Sequence, residues 1–281
     1  MNHSRARGEE TPRSQVPIRY FTGYFTLLCA RLLRKGAGWL HLLASIPEGV
    51  VPIVWTHREI DRYSRAVWND SASGHLAGGL SDSERALFIR HQIRHGDILV
   101  LACGAGREAF ALARHGLRVT ACDWSPRRIE VARREAQQAN LSVQFDLADI
   151  YDLRYPEHAF DYLLLANSGY SLLTPRRRRV RFLKQAHSFL NPGGLLVLSF
   201  AAAGDMLFCQ PLRRPLERLA SKLARHAPFN REHERGDLMA GGGFLIHYFL
   251  DEVALKDEFE ESGFAIKEFL WEEGLAVLTT V

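Results

Sequence analysis

The run Ile98-Leu-Val-Leu-Ala102-Cys-Gly104-Ala-Gly106-Arg-Glu-Ala109 decides the fold of this chain. It opens as a short, continuous apolar strand, as expected for a sheet buried on both faces. It then breaks at small residues and continues with helix-forming ones. Glycine at such a break allows a tight strand-to-helix turn and lets a ligand approach the backbone. The following helix begins with backbone N–H groups that have no partner within the helix. Taken alone, a glycine-bearing loop of this kind is as often an ordinary turn, so its neighbours must carry the reading.

Working outward, the same rhythm repeats. Strands are expected at Ile98–Ala102, Arg118–Cys122, Val143–Leu147, Phe160–Ala166, Leu195–Phe200, Phe264–Leu270 and Leu275–Thr280. Helices are expected at about Glu108–Arg114, Pro126–Ala139 and Pro175–Leu190. Upstream, Ser81-Asp-Ser-Glu84 has the form of a capping box and starts another helix. Alternating strands and helices imply right-handed crossovers and a doubly wound parallel sheet. The last two strands are joined only by Trp271-Glu-Glu-Gly274, too short for a parallel crossover, so they form an antiparallel hairpin.

Acidic residues sit at two more strand ends. Asp123 ends the second strand, where a carboxylate can accept from both hydroxyls of a ribose. Trp124 beside it offers a flat face for an adenine ring or packs at the rim, and Ser125-Pro126 reads as an N-cap followed by proline at N1. Asp149 follows the third strand, where it can accept from an adenine amine while the Ile150 N–H donates to a ring nitrogen.

The ordered set of the loop Ala102-Cys103-Gly104-Ala-Gly106, Asp123-Trp-Ser-Pro-Arg-Arg-Ile129, Asp149, Phe160-Asp-Tyr-Leu-Leu-Leu165 and Leu190-Asn-Pro-Gly-Gly194 resembles class I S-adenosylmethionine-dependent methyltransferases. The resemblance covers about residues 81–281. It implies a Rossmann-like α/β fold with a mostly parallel seven-stranded sheet closed by the C-terminal hairpin. It also implies S-adenosylmethionine as cofactor. By the same resemblance, the loop with Gly104 and Gly106 lies beside the methionine part, Asp123 binds the ribose and Asp149 lies at the adenine. Asn167 and Ser168, after the fourth strand, contact cofactor or substrate. Two positions depart from the usual pattern: Ala102 stands for the first glycine and Val100 for an acid.

Asn167 is expected to orient a nucleophile, and Tyr170 and His247 are the candidate bases for a hydroxyl acceptor. An aromatic pair upstream, Tyr63 and Trp68, either covers the cofactor or packs a helix. Arg176–Arg179 is expected to wrap round its helix and face mostly water. His91 and His95 share i, i+4 spacing without a third ligand signature, so no metal site is expected.

With 47% hydrophobic and 24% charged residues over 281 positions, neither a disordered nor a fibrous class fits. A net charge of +4 points weakly to an anionic partner. No nucleic-acid module is legible, and a small-molecule acceptor is expected. The cysteines Cys29, Cys103, Cys122 and Cys209 include no C-x-x-C pair and read as small core residues of a reducing, cytoplasmic protein. The expected layout is a disordered tail over 1–16, a helical extension over 17–80 and the main domain over 81–281, with an insertion or lid at about 201–247. Residues 20–55 are apolar but interrupted by charges. They read as a helical cap, with peripheral membrane attachment or self-association as the other reading. Two further functions stay open: a nicotinamide-dependent oxidoreductase, since Gly104 to Ala109 also fits G-x-G-x-x-A, and a non-catalytic scaffold.

Overall fold

The computed structural model describes residues 50–70, 79–203, 230–240 and 243–280. Most of the apolar stretch 20–55, the basic segment Leu212–Arg225, Gly241, Gly242, Cys29 and Cys209 lie outside the described residues.

Five strands are parallel neighbours: β1 (Asp97–Leu101), β2 (Arg118–Asp123), β3 (Val143–Leu147), β4 (Phe160–Leu165) and β5 (Leu190–Ser199). The insertion adds β6 (Ala201–Ala202), β7 (Asp237–Met239) and β8 (Leu245–Phe249), and the chain returns through β9 (Phe264–Leu270) and β10 (Leu275–Thr280). The main sheet has seven strands in the order β3-β2-β1-β4-β5-β10-β9, with β10 antiparallel to both its neighbours. The expected hairpin is therefore present, and β10 inserts between β5 and β9. Strand β5 is longer than expected, because Asn191–Gly194 runs within it and shifts the register against β4 between Phe160 and Tyr162.

Burial on both faces explains the apolar runs. Along β1, Leu99 and Leu101 enter one core cluster while Ile98 and Val100 enter the other. Leu196 and Leu198 on β5 alternate with Val197 in the same way. Alternate side chains of a strand point to opposite faces, so each face can carry a full apolar layer only if both are covered.

The helices follow their local signals. Helix α1 (His57–Asp70) starts where Thr56 and Glu59 exchange hydrogen bonds, the Thr56 N–H donating to Glu59 Oε2 at 2.8 Å. Helix α2 (Asp82–Arg90) has the expected capping box at Ser81 and Glu84. Helices α3 (Arg107–Arg114) and α4 (Pro126–Gln138) follow β1 and β2, and Ser125 caps α4 by accepting the Arg128 N–H. Helix α5 (Arg176–Phe189) precedes β5, and α6 (Glu252–Glu261) precedes β9.

The arginine run at the start of α5 divides: Arg176 and Arg177 are exposed as expected, whereas Arg178 is half-buried and Arg179 is buried. Arg176 pairs with Glu261, Arg177 with Glu232, Arg178 with Asp61 and Arg179 with Glu258 and Glu234. These acids come from α6, α1 and the insertion, so the run fastens three segments to the core. Arg179 is 2% exposed, and its Nε and Nη2 donate to Glu258 Oε2 and Oε1 at 3.0 and 2.8 Å. Burial works against the guanidinium charge, yet the bonds to Glu258 raise its pKa above the usual value. Removing one member of such a pair leaves a buried charge without compensation. Glu258→Gln is expected to lower the unfolding free energy by roughly 3 kcal/mol, read by urea denaturation. Arg118→Ala, at the exposed pair with Asp97, is expected to leave the midpoint unmoved.

Candidate active site

The strand order reverses at β1, which has β2 on one side and β4 on the other. Ligands of open α/β sheets bind at such a point, outside the carboxyl ends of the strands. A cavity of about 610 Å³ lies there. Its floor is made by Ala102–Ala105 after β1, Asp123 and Trp124 after β2, Asp149–Tyr151 after β3 and Ala166–Asn167 after β4. The four strand-end segments singled out in the sequence thus converge on one space.

Asp123 is 2% exposed. Its Oδ2 accepts the Gly104 N–H and its Oδ1 the Ser125 N–H, each at 2.9 Å. Burial pushes its pKa above the ordinary carboxylate range, and the two N–H donors and nearby Arg128 pull it back. A carboxylate oxygen can accept more than one hydrogen bond, so each oxygen keeps capacity for a ligand hydroxyl.

The turn after β1 is tight. Ala102, Gly104 and Gly106 all have positive φ, of 49°, 56° and 95°. A side chain at Gly106 would put its Cβ 2.7 Å from the Phe110 ring. Gly106 therefore shapes the turn from behind and does not line the cavity. Ala102 holds a left-handed conformation that costs an L-residue about 1–2 kcal/mol. After β4, Asn167 and Ser168 repeat the pattern with φ of 55° and 52°. Such conformations persist only where their surroundings over-determine them, and they cluster at functional sites.

Asn167 lines the cavity and is held from two sides. Its Nδ2 donates to Glu108 Oε1 at 2.8 Å, and its Oδ1 accepts from Arg107 at 2.6 Å. Ser168 is not among the lining residues, and its N–H donates to Ser199 Oγ at 2.6 Å. Tyr170 and His247 also lie outside the lining. Tyr170 is wholly buried, its hydroxyl donates to Glu258 Oε2 at 2.8 Å, and burial pushes its pKa well up. His247 is bonded to Asp237 Oδ1 at 2.8 Å within the insertion. The geometry removes both as bases for this cavity: one faces the α6 carboxylate and the other the buried end of the insertion.

The roof comes from α1 and the insertion. Ile60, Asp61, Ser64, Arg65 and Trp68 of α1 line the cavity, with Phe244 and Leu245. Trp68 meets Phe244 edge to face at 4.6 Å, and Trp55, Tyr63, Met239 and Leu245 pack in one cluster behind them. Tyr63 therefore packs the helix, whereas Trp68 covers the cavity. Arg65 pairs with Asp149 and lies 4.8 Å over the Trp124 ring, and Arg128 lies 3.7 Å over the Trp68 ring. Both groups expected at an adenine, Asp149 and Trp124, are engaged by one arginine.

Several lining residues escaped the sequence reading. Glu108, 4% exposed, sits in the first turn of α3 two residues past Gly106, a position from which it could have been suspected. Arg65, Asp61, Phe244 and Leu245 carry no local signal, since they reach the cavity only through tertiary packing.

The residues fit an adenosyl ligand. A desolvated acid with remaining acceptor capacity faces a close-approach backbone turn, and aromatic rings flank it. The volume is within the range of sites for molecules of that size.

A family model described as a methyltransferase domain matches residues 98–194. The ubiquinone biosynthesis O-methyltransferase of Methylocella silvestris is 38% identical over 99 residues, 35% of this chain and 37% of that relative. The chain thus aligns with well under half of that protein's length. An S-adenosylmethionine-dependent methyltransferase of Methanosarcina mazei superposes with a TM-score of 0.55 at 20% identity, over 73% of this chain and 99% of that one. The 1,6-didemethyltoxoflavin-N1-methyltransferase of Burkholderia thailandensis, at 18% identity, gives 0.50 over 79% and 85%. The structural likenesses establish the fold, and the family match gives residues 98–194 the sequence pattern of a methyltransferase domain.

Proposed function

We propose that this protein binds S-adenosylmethionine at the carboxyl edge of its sheet and transfers the methyl group to a small, largely apolar acceptor. The observation that carries the reading is the buried Asp123 carboxylate, which closes the Gly104 turn and still faces the cavity. Asp123 would accept from the ribose hydroxyls. The backbone of Ala102–Gly104 would pass close to the methionine part, and Ile150 and Trp124 would contact the adenine.

The sulfonium supplies an activated methyl group with its leaving group attached. The chain's own work is then positioning and exclusion of water. Asn167, fixed between Arg107 and Glu108, is the polar group best placed to orient a nucleophile. Leu172, Leu173, Phe244 and Leu245 add apolar lining suited to a ring or short chain. The Methylocella relative is named for O-methylation in ubiquinone biosynthesis, which favours an oxygen nucleophile on a ring of that general kind. Arg65 would leave Asp149 or slide across Trp124 as the adenine enters.

Among the described residues, no helix is long and apolar enough to cross a membrane. Attachment of residues 20–55 to a membrane is a separate proposal, tested by vesicle sedimentation.

Isothermal titration with S-adenosylmethionine, S-adenosylhomocysteine and NAD tests the reading. Micromolar binding of the first two and no heat from NAD are expected. Asp123→Ala should weaken binding at least tenfold, since it removes charged acceptors from a desolvated site. Binding of NAD alone would sink the assignment. Phe244→Ala should raise the acceptor KM while leaving cofactor affinity in place. Ala102→Gly relieves a left-handed alanine, against which stands glycine's entropy of about 0.5–1 kcal/mol. A melting temperature equal to or above that of the parent is expected, and a marked fall would show that the turn is not strained.

A further inference from the structure

The paired arginines of α5 adjoin a second cluster, of acids and imidazoles. Arg176, Arg177, Arg178 and Arg179 each have their own carboxylate in Glu261, Glu232, Asp61 and Glu258. Glu234 also meets Arg179, and Asp237 is paired with His247 beside it. Their other neighbours are His233 and His247. Asp237 is 2% exposed and His247 is 7% exposed. Asp237 accepts the Glu234 N–H at 2.9 Å and bonds His247 Nδ1 at 2.8 Å, while Glu234 accepts from Arg179, so acids and imidazoles meet at one small buried cluster.

The geometry points to a cation. We propose that Glu234, Asp237 and His247, with His233 as fourth donor, form a binding site for a divalent transition-metal ion, zinc being the best match. One ligand atom from each of the first three lies within 4.8 Å of the others. His247 Nδ1 is 2.8 Å from Asp237 Oδ1 and 3.5 Å from Glu234 Oε2. Donors about 2.1 Å from a common metal sit about 3–4 Å apart, so small side-chain adjustments suffice. Mixed imidazole and carboxylate donors suit zinc, iron, nickel or copper and disfavour calcium.

His233 supplies the independent observation. Its side chain is 10% exposed, and its Nδ1 has no hydrogen-bond partner. That nitrogen lies 3.5 Å from Asp237 Oδ2, a ligand of the group. A buried imidazole nitrogen without a partner costs free energy unless something absent from the pairing completes it. A metal ion would do so.

Arg179 does not forbid the ion. Its Nε and Nη2 are held by Glu258, and only Nη1 reaches Glu234 Oε2, at 2.7 Å. That oxygen keeps a second lone pair. Glu234 is also the most exposed of the three ligands, at 23%, and offers the entry path. The ion would tie β7 and β8 to the loop before them, behind Met239 and Leu245, which support the cavity roof. Its role is a staple outside the catalytic cavity.

The test uses the full, tag-free chain, stripped by chelation. Zinc chloride alone is titrated calorimetrically, and retained metal is measured by mass spectrometry after desalting. About one ion per chain is expected, with a rise in melting temperature that a chelator reverses. His247→Ala and Asp237→Asn should each lower affinity at least a hundredfold, and His233→Ala about tenfold. His247→Gln keeps a hydrogen bond to Asp237 and serves if the alanine variant does not fold. Cobalt substitution of the parent chain should give visible d–d bands without a thiolate charge-transfer band. Failure to retain an ion, retention unchanged in the His247 and Asp237 variants, or a thiolate band would overturn the site.

Discussion

The buried carboxylate of Asp123 holds the active-site edge together. It ties the turn after β1 to the start of α4 through two backbone N–H groups, so two crossovers of the sheet share one anchor. An acid at 2% exposure is costly unless its hydrogen bonds are made. Here the backbone makes only part of them, which leaves the group under-satisfied and turned toward the cavity. The same feature that strains the edge is the one that would recognise a pair of hydroxyls. The left-handed Ala102 next to it belongs to the same bargain: the turn must be tight enough to bring Gly104 N–H onto Asp123.

The sheet was legible because its signals are local. Ile98–Leu101, Arg118–Cys122 and Phe160–Leu165 are apolar runs bounded by breakers, and the Trp271–Gly274 link is too short for anything but a hairpin. The cofactor edge was legible for a related reason. Each of its residues stands at the end of a strand, so finding the strand places the residue. What escaped depends on partners far away in the chain. Four consecutive arginines predict water on helical geometry alone. Their carboxylates at Asp61, Glu232, Glu258 and Glu261 lie between 55 and 117 residues distant or on another helix, and no window of sequence brings them together.

Tyr170 and His247 illustrate the same limit from the other side. Both have residue types suited to proton transfer, and Tyr170 lies in the turn that follows β4. Its ring is nevertheless stacked on Phe249 at 5.6 Å and its hydroxyl is spent on Glu258. The 3-10 turn at Gly169–Leu172 rotates that side chain beneath the sheet edge while Asn167, three residues earlier, stays on top. A residue's chemistry names it as a candidate, but one turn of backbone decides on which side of the wall it stands.

The division between floor and roof carries the functional meaning. Residues matched by the family model, 98–194, supply the whole floor and the Leu172–Thr174 side wall. Trp68, Arg65, Phe244 and Leu245 lie outside that span. On the proposed function, recognition of the cofactor would fall to the common segment, where backbone turns and strand-end acids dictate geometry. On the same proposed function, selection of the acceptor would fall to α1 and the insertion, which pack on each other through Tyr63 and Leu245 and on the core through the α5 arginines. Among the described residues, the roof is fixed by ion pairs and one small apolar cluster, whereas the sheet lies between two larger ones. Segments of that kind open at lower free energy than the sheet. A cavity roofed this way can admit a ligand by lifting α1 without disturbing Asp123.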